Sequence, residues 1–328
     1  MDSLKYERLV PPVDSIRLQA MCRIWEAEFN TSYAEFKQML AGIEPENQFV
    51  LRAALIGDEV AGTCQITRSG DDPTIGGVGE VVVPERFRRR GIGSQLFEES
   101  CTEFFESGGQ ALFLGTENPA AARIYHRYGF RCIPSTENMG RVSTGTPESF
   151  LYEYFQSAAV DFNTVPLGRR HRVQLIPFLM APHEMVVLDQ ATGFLSSRHQ
   201  VLHGCMSLYS RFDKLVQSGG QVFVTESSNH RIQALVTACR HGEQAAVDGF
   251  ALPGAYQAWS SAVQAATNWA GEMGSQSVEF SLAVEDDVKR QWVESLGISL
   301  TPSDQTVNIA GRDVACLVGQ MAPQSFGF

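Results

Sequence analysis

The sequence predicts an α/β protein with mixed sheets, arranged as two tandem domains of which the second is degenerate. Three observations support this prediction. The chain has 328 residues, which is more than one domain of ordinary size contains. Hydrophobic residues make up 44% and charged residues 19% of the chain, as in globular rather than disordered proteins. Strand-like and helix-like segments alternate along the chain, and their order in the first half recurs in the second.

The first half predicts the order β-α-α-β-β-β-α-β-α-β-β, a mixed sheet with flanking helices. The predicted early segments are a strand in residues 1–10, a helix over Asp14–Phe29 capped by Asp14 or Ser15, a short helix over Ser32–Leu40, and hairpin strands over Phe49–Ile56 and Val60–Arg68. A polar, glycine-rich loop is predicted over Ser69–Gly79. The strands predicted to close the sheet are Cys132–Arg141 and Ser149–Phe155.

The stretch from Val81 to Phe130 contains the main chemical signal. Val81–Val83 stop at a proline, and Gly91 and Gly93 precede a run whose apolar residues recur at helical spacing. The N-terminus of a helix offers unpaired N–H groups and the positive end of the helix dipole. Glycine there removes side chains that would keep an anion away, so the sequence predicts a phosphate-binding turn. Positive charge is added by Arg86, Arg88, Arg89 and Arg90.

Two common phosphate-binding motifs do not fit this turn. A dinucleotide fingerprint requires a third glycine, but the corresponding residue is Leu96, and no acidic residue stands out near the end of the next strand. A P-loop requires Gly-Lys followed by Ser or Thr, which the turn lacks. Neither type of nucleotide site is therefore predicted here.

A different pair of motifs does fit: the chain contains Arg88-x-x-Gly91-x-Gly93 and, further along, Asn118…Ala121…Tyr125-x-x-x-Gly129-Phe130. In this order and spacing, the two motifs resemble those of the GNAT acetyltransferase family. The first resembles that family's acyl-CoA pyrophosphate loop, and the second resembles its last helix. The resemblance implies a catalytic domain over residues 1–156, with acetyl-CoA as co-substrate and no metal.

The resemblance also implies a role for each matching residue. Backbone groups of Val81–Val83 would pair with the pantetheine arm and could polarise the thioester carbonyl. Tyr125 would donate a proton to the leaving sulfur, and Glu80 could act as a base through water. The structural alternatives are that Tyr125 is an ordinary helix-face aromatic and that the arginine side chains are surface charges. The residues implied to contact acyl-CoA are Val81, Val82, Val83, Arg88, Arg89, Arg90, Gly91, Ile92, Gly93, Ser94, Asn118, Ala121 and Tyr125.

The second half repeats the order hairpin, strand, turn, helix, strand, helix ending in glycine, and hairpin, which indicates a tandem duplication. Its predicted segments are a short apolar stretch Met185–Leu188, a helix within Leu195–Leu215 interrupted near Gly204, strands Gln221–Glu226, Ile232–Cys239 and Ala245–Ala251, a helix Tyr256–Met273, a strand Ser277–Leu282, a helix Asp286–Leu296, and closing strands Thr306–Ile309 and Asp313–Val318.

The second copy departs from the first where acyl-CoA would bind. Its turn, residues 252–256, lacks the Arg-x-x-Gly-x-Gly pattern. When Gly129 and Gly297 are aligned, Val293 stands at the position of Tyr125. We therefore expect residues 169–328 to form a degenerate GNAT-like domain that shapes the acceptor site or stabilises the first domain. Residues 157–168, which contain polar residues, Pro and Gly, are predicted to be a linker.

Charge and cysteine usage limit the expected partners. The net charge of −11 argues against a nucleic-acid binder, because phosphate backbones need positive surfaces. The seven cysteines include no Cys-x-x-Cys pair, and no signal segment or membrane-length apolar run is present. The sequence therefore predicts a cytoplasmic protein with reduced thiols and no membrane partner. A second basic cluster, Gly168–Arg172, is either a solvated loop or a site for an anionic substrate.

The resulting hypothesis is an N-acetyltransferase that moves an acetyl group from acetyl-CoA to a primary amine of a small molecule. Tandem family members that acetylate nucleotide-linked amines in phosphonate-antibiotic biosynthesis are similar in layout, and an anionic acceptor would suit the second basic cluster. Two alternatives stay open: an acyl-CoA decarboxylase that loads a carrier protein, and a non-catalytic acyl-CoA sensor. Both a monomer and a homodimer are compatible with the sequence.

Overall fold

The computed structural model describes residues 3–43, 46–134, 136, 138–158, 161–196, 206–309 and 311–323. The chain forms two compact units, one built mainly from residues up to Phe150 and the other mainly from Leu151 onward. Each unit contains a seven-stranded mixed sheet with helices, which confirms the predicted fold class. No helix in the described ranges is both long enough and apolar enough to cross a membrane.

The first unit follows the predicted order for most of its length. Its strands are β1 (Leu4–Leu9), β2 (Asn47–Ile56), β3 (Glu59–Ser69), β4 (Ile75–Val82), β5 (Ala111–Gly115), β6 (Arg131–Cys132) and β7 (Asn138–Val142). Its helices are α1 (Ser15–Phe29), α2 (Ala34–Gln38, followed by a π-helical turn at Met39–Ile43), α3 (Ile92–Glu106), α4 (Pro119–Arg127) and α5 (Pro147–Gln156). The strand order in the sheet is β1-β2-β3-β4-β5-β7-β6, and only β4 and β5 are parallel neighbours.

Alternation along β2 places a hydrophobic core on each face of this sheet. Ala53 and Leu55 pack in the cluster of Trp25 on α1, whereas Ala54 packs in the cluster of Phe97 on α3. The Asp14 side chain accepts hydrogen bonds from two backbone N–H groups of the first turn of α1, as the sequence predicts for an N-cap. Val82 at the end of β4 packs in the cluster of Trp25, and Ile92 at the start of α3 packs in the cluster of Phe97.

Two predictions for the first half are wrong. The predicted loop Ser69–Gly79 contains the first part of β4, which begins at Ile75. The predicted closing strand Ser149–Phe155 is part of the helix α5. Its start is a capping pair, in which the Thr146 and Ser149 side chains each accept a hydrogen bond from the other residue's backbone N–H. The hairpin β6–β7 closes the sheet instead.

The second unit has the same topology as the first. Its strands are β8 (Phe162–Pro166), β9 (Val187–Asp189), β10 (Phe194–Leu195), β11 (Gln221–Ser227), β12 (Ile232–His241), β13 (Gln244–Ala251), β14 (Ser277–Ala283), β15 (Thr301–Ile309) and β16 (Arg312–Met321). Its helices are α6 (Leu175–Met180), α7 (Leu208–Gln217), α8 (Tyr256–Glu272) and α9 (Asp287–Ser295). The sheet order is β8-β11-β12-β13-β14-β16-β15, and only β13 and β14 are parallel.

Strand by strand, this order repeats that of the first sheet. A helix connects the two parallel strands in each unit, α3 in the first and α8 in the second, and a shorter helix follows the second parallel strand. The small pair β9–β10 has no counterpart in the first sheet. The chain is therefore a tandem duplication at the level of topology.

The boundary between the units differs from the predicted one. The predicted linker, residues 157–168, contains β8, which pairs with β11 as the edge strand of the second sheet. Apolar Phe162 and Val165 make this pairing possible in a segment whose polar composition resembled a linker. The predicted helix within Leu195–Leu215 is α7 in its described part, and residues 197–205 lie outside the described residues.

Candidate active site

The parallel strands β4 and β5 separate before β4 ends. Their paired residues are Ile75 with Ala111, Gly76 with Leu112, and Gly77 with Phe113. Beyond Gly77, β4 continues to Val82 while pairing with β3. The opposite edge of Val78–Val82 has no strand partner in the part of the chain that the structure describes. A ligand with amide groups can hydrogen-bond to such an edge as an added strand does.

A β-bulge lies at Glu80, where β4 moves away from β5. Gly79 pairs with Gln65 and Val82 with Thr63, so that Glu80 and Val81 together oppose a single residue of β3. The φ angle of Glu80 is 50°, in the left-handed region that few residues other than glycine adopt. A bulge bends its strand and interrupts regular pairing. Backbone strain of this kind concentrates at functional sites.

Three side chains fix the bulge in place. The indole Nε1 of Trp25 donates to Thr63 Oγ1 at 2.9 Å, and that hydroxyl donates to the backbone carbonyl of Glu80 at 2.6 Å. The hydroxyl of Tyr33 donates to Glu80 Oε1 at 3.4 Å. Burial raises the pKa of Tyr33, and the carboxylate of Glu80 raises it further, so the phenol keeps its proton. Sequence analysis found Glu80 but not these partners.

The N-terminus of α3 is open to an anion. Its N-cap is Gly91, so no side chain caps the helix, and the first bond along the helix runs from the Gln95 N–H to the Gly91 carbonyl at 3.1 Å. No described residue accepts a hydrogen bond from the backbone N–H groups of Arg89–Ser94. These groups lie at the positive end of the helix dipole. The arrangement therefore suits a phosphate or pyrophosphate.

Glycine is favoured at positions 91 and 93 of the turn for two different structural reasons. Gly91 has a φ angle of 78°, and a Cβ atom there would have no neighbour within 4 Å, so the backbone is open on that side. A Cβ atom on Gly93 would lie 3.2 Å from Val83 Cγ2, a tight contact. Gly91 thus provides the left-handed turn and the open approach, and Gly93 allows α3 to start close to the end of β4.

Most arginine side chains of the turn bind the protein itself. Arg88 donates to the Val83 carbonyl at 2.8 Å and to both carboxylate oxygens of Glu28 at 3.0 Å. Arg86 forms an ion pair with Glu59, and Arg90 donates to the Arg86 carbonyl at 3.3 Å. The Arg89 side chain contacts no polar partner among the described residues. The Arg89 side chain can therefore meet a ligand without giving up a contact within the protein.

The helix that follows β5 presents two predicted site residues in different ways. Asn118 caps α4, since its Oδ1 accepts from the N–H groups of Ala120 at 2.9 Å and Ala121 at 3.4 Å. Its Nδ2 donates to no residue that the structure describes. Tyr125 is 7% exposed, and its ring centroid lies 4.7 Å from that of Phe97 on α3. The Tyr125 ring therefore packs against α3, and Asn118 combines its capping role with an amide nitrogen that has no partner among the described residues.

The second basic cluster is largely occupied by the protein. Arg170 donates to both carboxylate oxygens of Glu226, one of them at 3.1 Å, and buried His171 has its Nε2 3.4 Å from the same carboxylate. The guanidinium of Arg172 lies 4.6 Å from the centroid of the Tyr209 ring. The described residues contain no group of His, Cys, Asp and Glu side chains arranged to hold a metal ion.

Comparison with known proteins agrees with the motifs of the first half. Residues 16–130 match the model of the acetyltransferase (GNAT) family. An acetyltransferase from Agrobacterium fabrum is 36% identical over 73 residues, which cover 22% of this chain and 51% of that protein. The chain therefore spans about half the length of this relative.

Solved structures with a partial likeness include acetyltransferases. A GNAT family acetyltransferase from Brucella melitensis in complex with acetyl-CoA is 16% identical with a TM-score of 0.35, over 44% of this chain and 92% of the other. The spermidine/spermine N-acetyltransferase of Vibrio cholerae is 13% identical with a TM-score of 0.37, over 49% and 94%. The family assignment rests on the family model and the sequence relative.

Proposed function

We propose that the first unit, in which residues 16–130 match the model of the acetyltransferase (GNAT) family, transfers an acetyl group from acetyl-CoA to a primary amine of a small molecule. One observation carries the proposal: the unpaired edge of Val78–Val82 is followed, after a 3-10 helical turn at Glu85–Phe87, by the uncapped turn Arg89–Ser94. A ligand with an amide-bearing arm joined to a pyrophosphate matches both parts of this surface. Acetyl-CoA has that construction.

In this proposal, backbone groups do most of the binding. The N–H groups of Arg89–Ser94 bind the pyrophosphate, with the Arg89 side chain adding charge. Val81–Val83 pair with the pantetheine arm, and a backbone N–H of the same strand polarises the thioester carbonyl. The Nδ2 of Asn118 donates to the arm, and Ala121 leaves room for it. Arg88 acts indirectly, because it holds the Val83 carbonyl and the end of the strand.

The reaction requires the movement of two protons. The neutral amine attacks the thioester carbon, a C–N bond forms, and the C–S bond breaks when the tetrahedral intermediate collapses. Tyr125 donates its hydroxyl proton to the leaving sulfur, and the proton lost by the amine passes through water to the carboxylate of Glu80. The hydrogen bond from Tyr33 and the bulge hold that carboxylate in one place. Holding both reactants in position supplies much of the rate.

The experiment is a thiol-release assay with acetyl-CoA against a panel of amines: aminophosphonates, nucleotide-linked amines, amino acids, aminoglycosides and polyamines. Tyr125→Phe keeps the ring that packs on Phe97, so we expect kcat to fall by about 100-fold or more with little change in the KM for acetyl-CoA. The matched control is Tyr128→Phe, whose ring centroid lies 5.6 Å from that of Phe97. We expect this control to stay active.

A second pair of variants tests the turn. Gly91→Glu places a carboxylate where the pyrophosphate would bind, and we expect the Kd for acetyl-CoA to rise at least about tenfold, which is about 1.4 kcal/mol. Gly108→Glu is the control at the other end of α3, since Gly108 also has a positive φ of 89° and open space around its Cβ position. Loss of CO2 from malonyl-CoA without an amine would favour the decarboxylase, binding of acetyl-CoA without turnover would favour the sensor, and no binding would refute the proposal.

A further inference from the structure

The two units align residue by residue at their last helices. Asn118 caps α4 and Asp286 caps α9: the Asn118 side chain accepts hydrogen bonds from two backbone N–H groups of its helix, and the Asp286 side chain accepts one, from Lys289. Gly129 and Gly297 follow these helices with φ angles of 87° and 80°. The spacing from cap to glycine is identical in the sequence. It pairs Ala121 with Lys289, and Tyr125 with Val293.

The parallel strands align in the same way. In the first unit, the last parallel pair of β4 and β5 contains Gly77, and in the second, the last pair of β13 and β14 contains Val247. Counting onward from this pair, Asp248 corresponds to Val78 and Phe250 to Glu80. β13 pairs with β12 in continuous register, so the bulge of the first unit is missing. The parallel strands therefore separate in the second unit as in the first. The second unit, however, has Phe250 at the position of Glu80 and Val293 at the position of Tyr125.

A segment of the chain itself lies where these strands separate. The backbone N–H groups of Val186 and Val187 donate to Asp286 Oδ2 at 3.0 and 3.3 Å. The N–H of Gln190 donates to Asp248 Oδ2 on β13 at 2.8 Å, and its side-chain Nε2 donates to the Ser281 carbonyl on β14 at 3.0 Å. Ser281 is one residue beyond the last parallel pair. The segment thus contacts both strands and the cap of the last helix.

Lys289 holds this segment from the helix side. Its Nζ donates to the carbonyls of Val187 and Leu188 at 2.7 and 3.1 Å, and to Asp248 Oδ1 at 2.7 Å. The residue is 2% exposed, so its ammonium is buried with its partners. The corresponding position in the first unit is Ala121, whose methyl group cannot reach across such a gap. Lys289 therefore helps to fill the space where the parallel strands separate in the second unit, whereas Ala121 at the same helix position does not fill it in the first.

We propose that Val186–Gln190 is an internal ligand of the second unit, an amide-bearing segment that takes the place of the pantetheine arm of acyl-CoA. The chain therefore binds one acyl-CoA per molecule, in the first unit alone. For the identity of the first unit's ligand, this inference rests on the proposed function.

Binding stoichiometry is the first test, measured by calorimetric titration of the full chain with acetyl-CoA. We expect one site per chain in the wild type, and in Gly91→Glu no site that keeps the wild-type affinity. Two sites in the wild type, one of which keeps its affinity in Gly91→Glu, would overturn the inference while leaving the proposed function intact. A wild type with no site at all would refute the proposed function instead.

Transplanting the lysine is the second test. Ala121→Lys places in the first unit the side chain that Lys289 provides in the second, and we expect the Kd for acetyl-CoA to rise at least tenfold. Ala120→Lys is the matched control, because it is the same substitution on an exposed position of the same helix. Equal affinities for the two variants would contradict the correspondence between Ala121 and Lys289. Circular dichroism and the melting temperature report whether both variants are folded.

Hydrogen–deuterium exchange of the protein without ligand is the third test, and it needs no acetyl-CoA. We expect slow exchange at the amides of Val186, Val187 and Gln190, since all three donate to buried carboxylates. Lys289→Met should speed exchange there while the amides of the β2–β3 hairpin in the first unit stay protected. Exchange at the rate of unstructured chain in the wild type would overturn the inference, whatever the outcome of the titration.

Discussion

At the scale of single residues, Glu226 shows how the second basic cluster is used. Its side chain is 8% exposed and accepts hydrogen bonds from Arg170, with His171 close by. Burial alone would raise its pKa, but the hydrogen bonds from His171 and Arg170 outweigh burial and lower the pKa to about 2. The cluster that the sequence offers as a site for an anionic substrate thus binds a carboxylate of the protein.

This pairing predicts how stability changes in acid. The pKa of Glu226 in the folded state lies below its ordinary value of 4.5. Its contribution to stability is therefore complete above that value and is lost as the pH falls toward 2, and the shift corresponds to roughly 3 kcal/mol. We expect Glu226→Gln to lower the free energy of unfolding in urea at pH 7 by up to about this amount and to flatten its dependence on pH in acid. Glu294→Gln, at an exposed position, should have little effect.

Single residues also show which parts of the site the sequence can predict. Gly91 was predictable, because a left-handed turn before a helix imposes a local requirement on one residue. Tyr33 and Thr63 were not, because their contacts with Glu80 depend on the register of β3 against β4 and on the position of the chain after α1. Asn118 was predicted as a ligand contact from its motif, and its capping role is visible only in the structure.

At the scale of elements, β4 shows why composition misleads. The glycines of β4 give this strand the composition of a loop, since glycine is unfavourable in strands. In the structure, a Cβ atom on Gly76 would lie 2.8 Å from Phe104 of α3 and 2.9 Å from Leu112 of β5. Glycine at this position therefore allows the C-terminal end of α3 to lie close to the start of β4. Only tertiary packing reveals this requirement.

We expect Gly76→Ala to destabilise the first unit by about 1–3 kcal/mol, the usual cost of adding an atom to a filled core. The measurement is chemical unfolding followed by Trp fluorescence. Gly168→Ala is a suitable control, because a Cβ atom there would have no neighbour within 4 Å. Equal stability of the two variants would show that α3 can shift to accept the methyl group.

At the scale of the whole molecule, the duplication was predictable and the boundary was not. The order of elements survives in the hydrophobic pattern of both halves, because each sheet needs the same alternation and the same helix faces. The edge strand β8 left no such signal, since one short strand with polar neighbours has the composition of a linker. Pairing with β11, which is distant in sequence, decides its structure.

Because each unit has its own hydrophobic core, we expect two thermal unfolding transitions. Each unit has its own buried cluster, around Phe97 in the first and Trp259 in the second. Acetyl-CoA at about 100 times its Kd should stabilise the unit that binds it by about 2.7 kcal/mol, which raises its melting temperature by roughly 5–10 °C. We expect calorimetry to show one transition that moves with acetyl-CoA and one that does not, and Gly91→Glu to remove the movement. A common shift of both transitions would indicate that the units unfold together.

As an internal ligand, the segment Val186–Gln190 would make occupancy of the second unit independent of the concentration of acetyl-CoA in the cell, whereas occupancy of the first unit would depend on it. A ligand on the same chain has an effective concentration set by its tether, typically in the millimolar range or above for a short one, and it does not depend on supply. In the proposed arrangement, Val186–Gln190 therefore occupies the second unit in every folded molecule. The first unit would bind a diffusible ligand, so a shortage of acetyl-CoA would loosen one half of the molecule and leave the other unchanged.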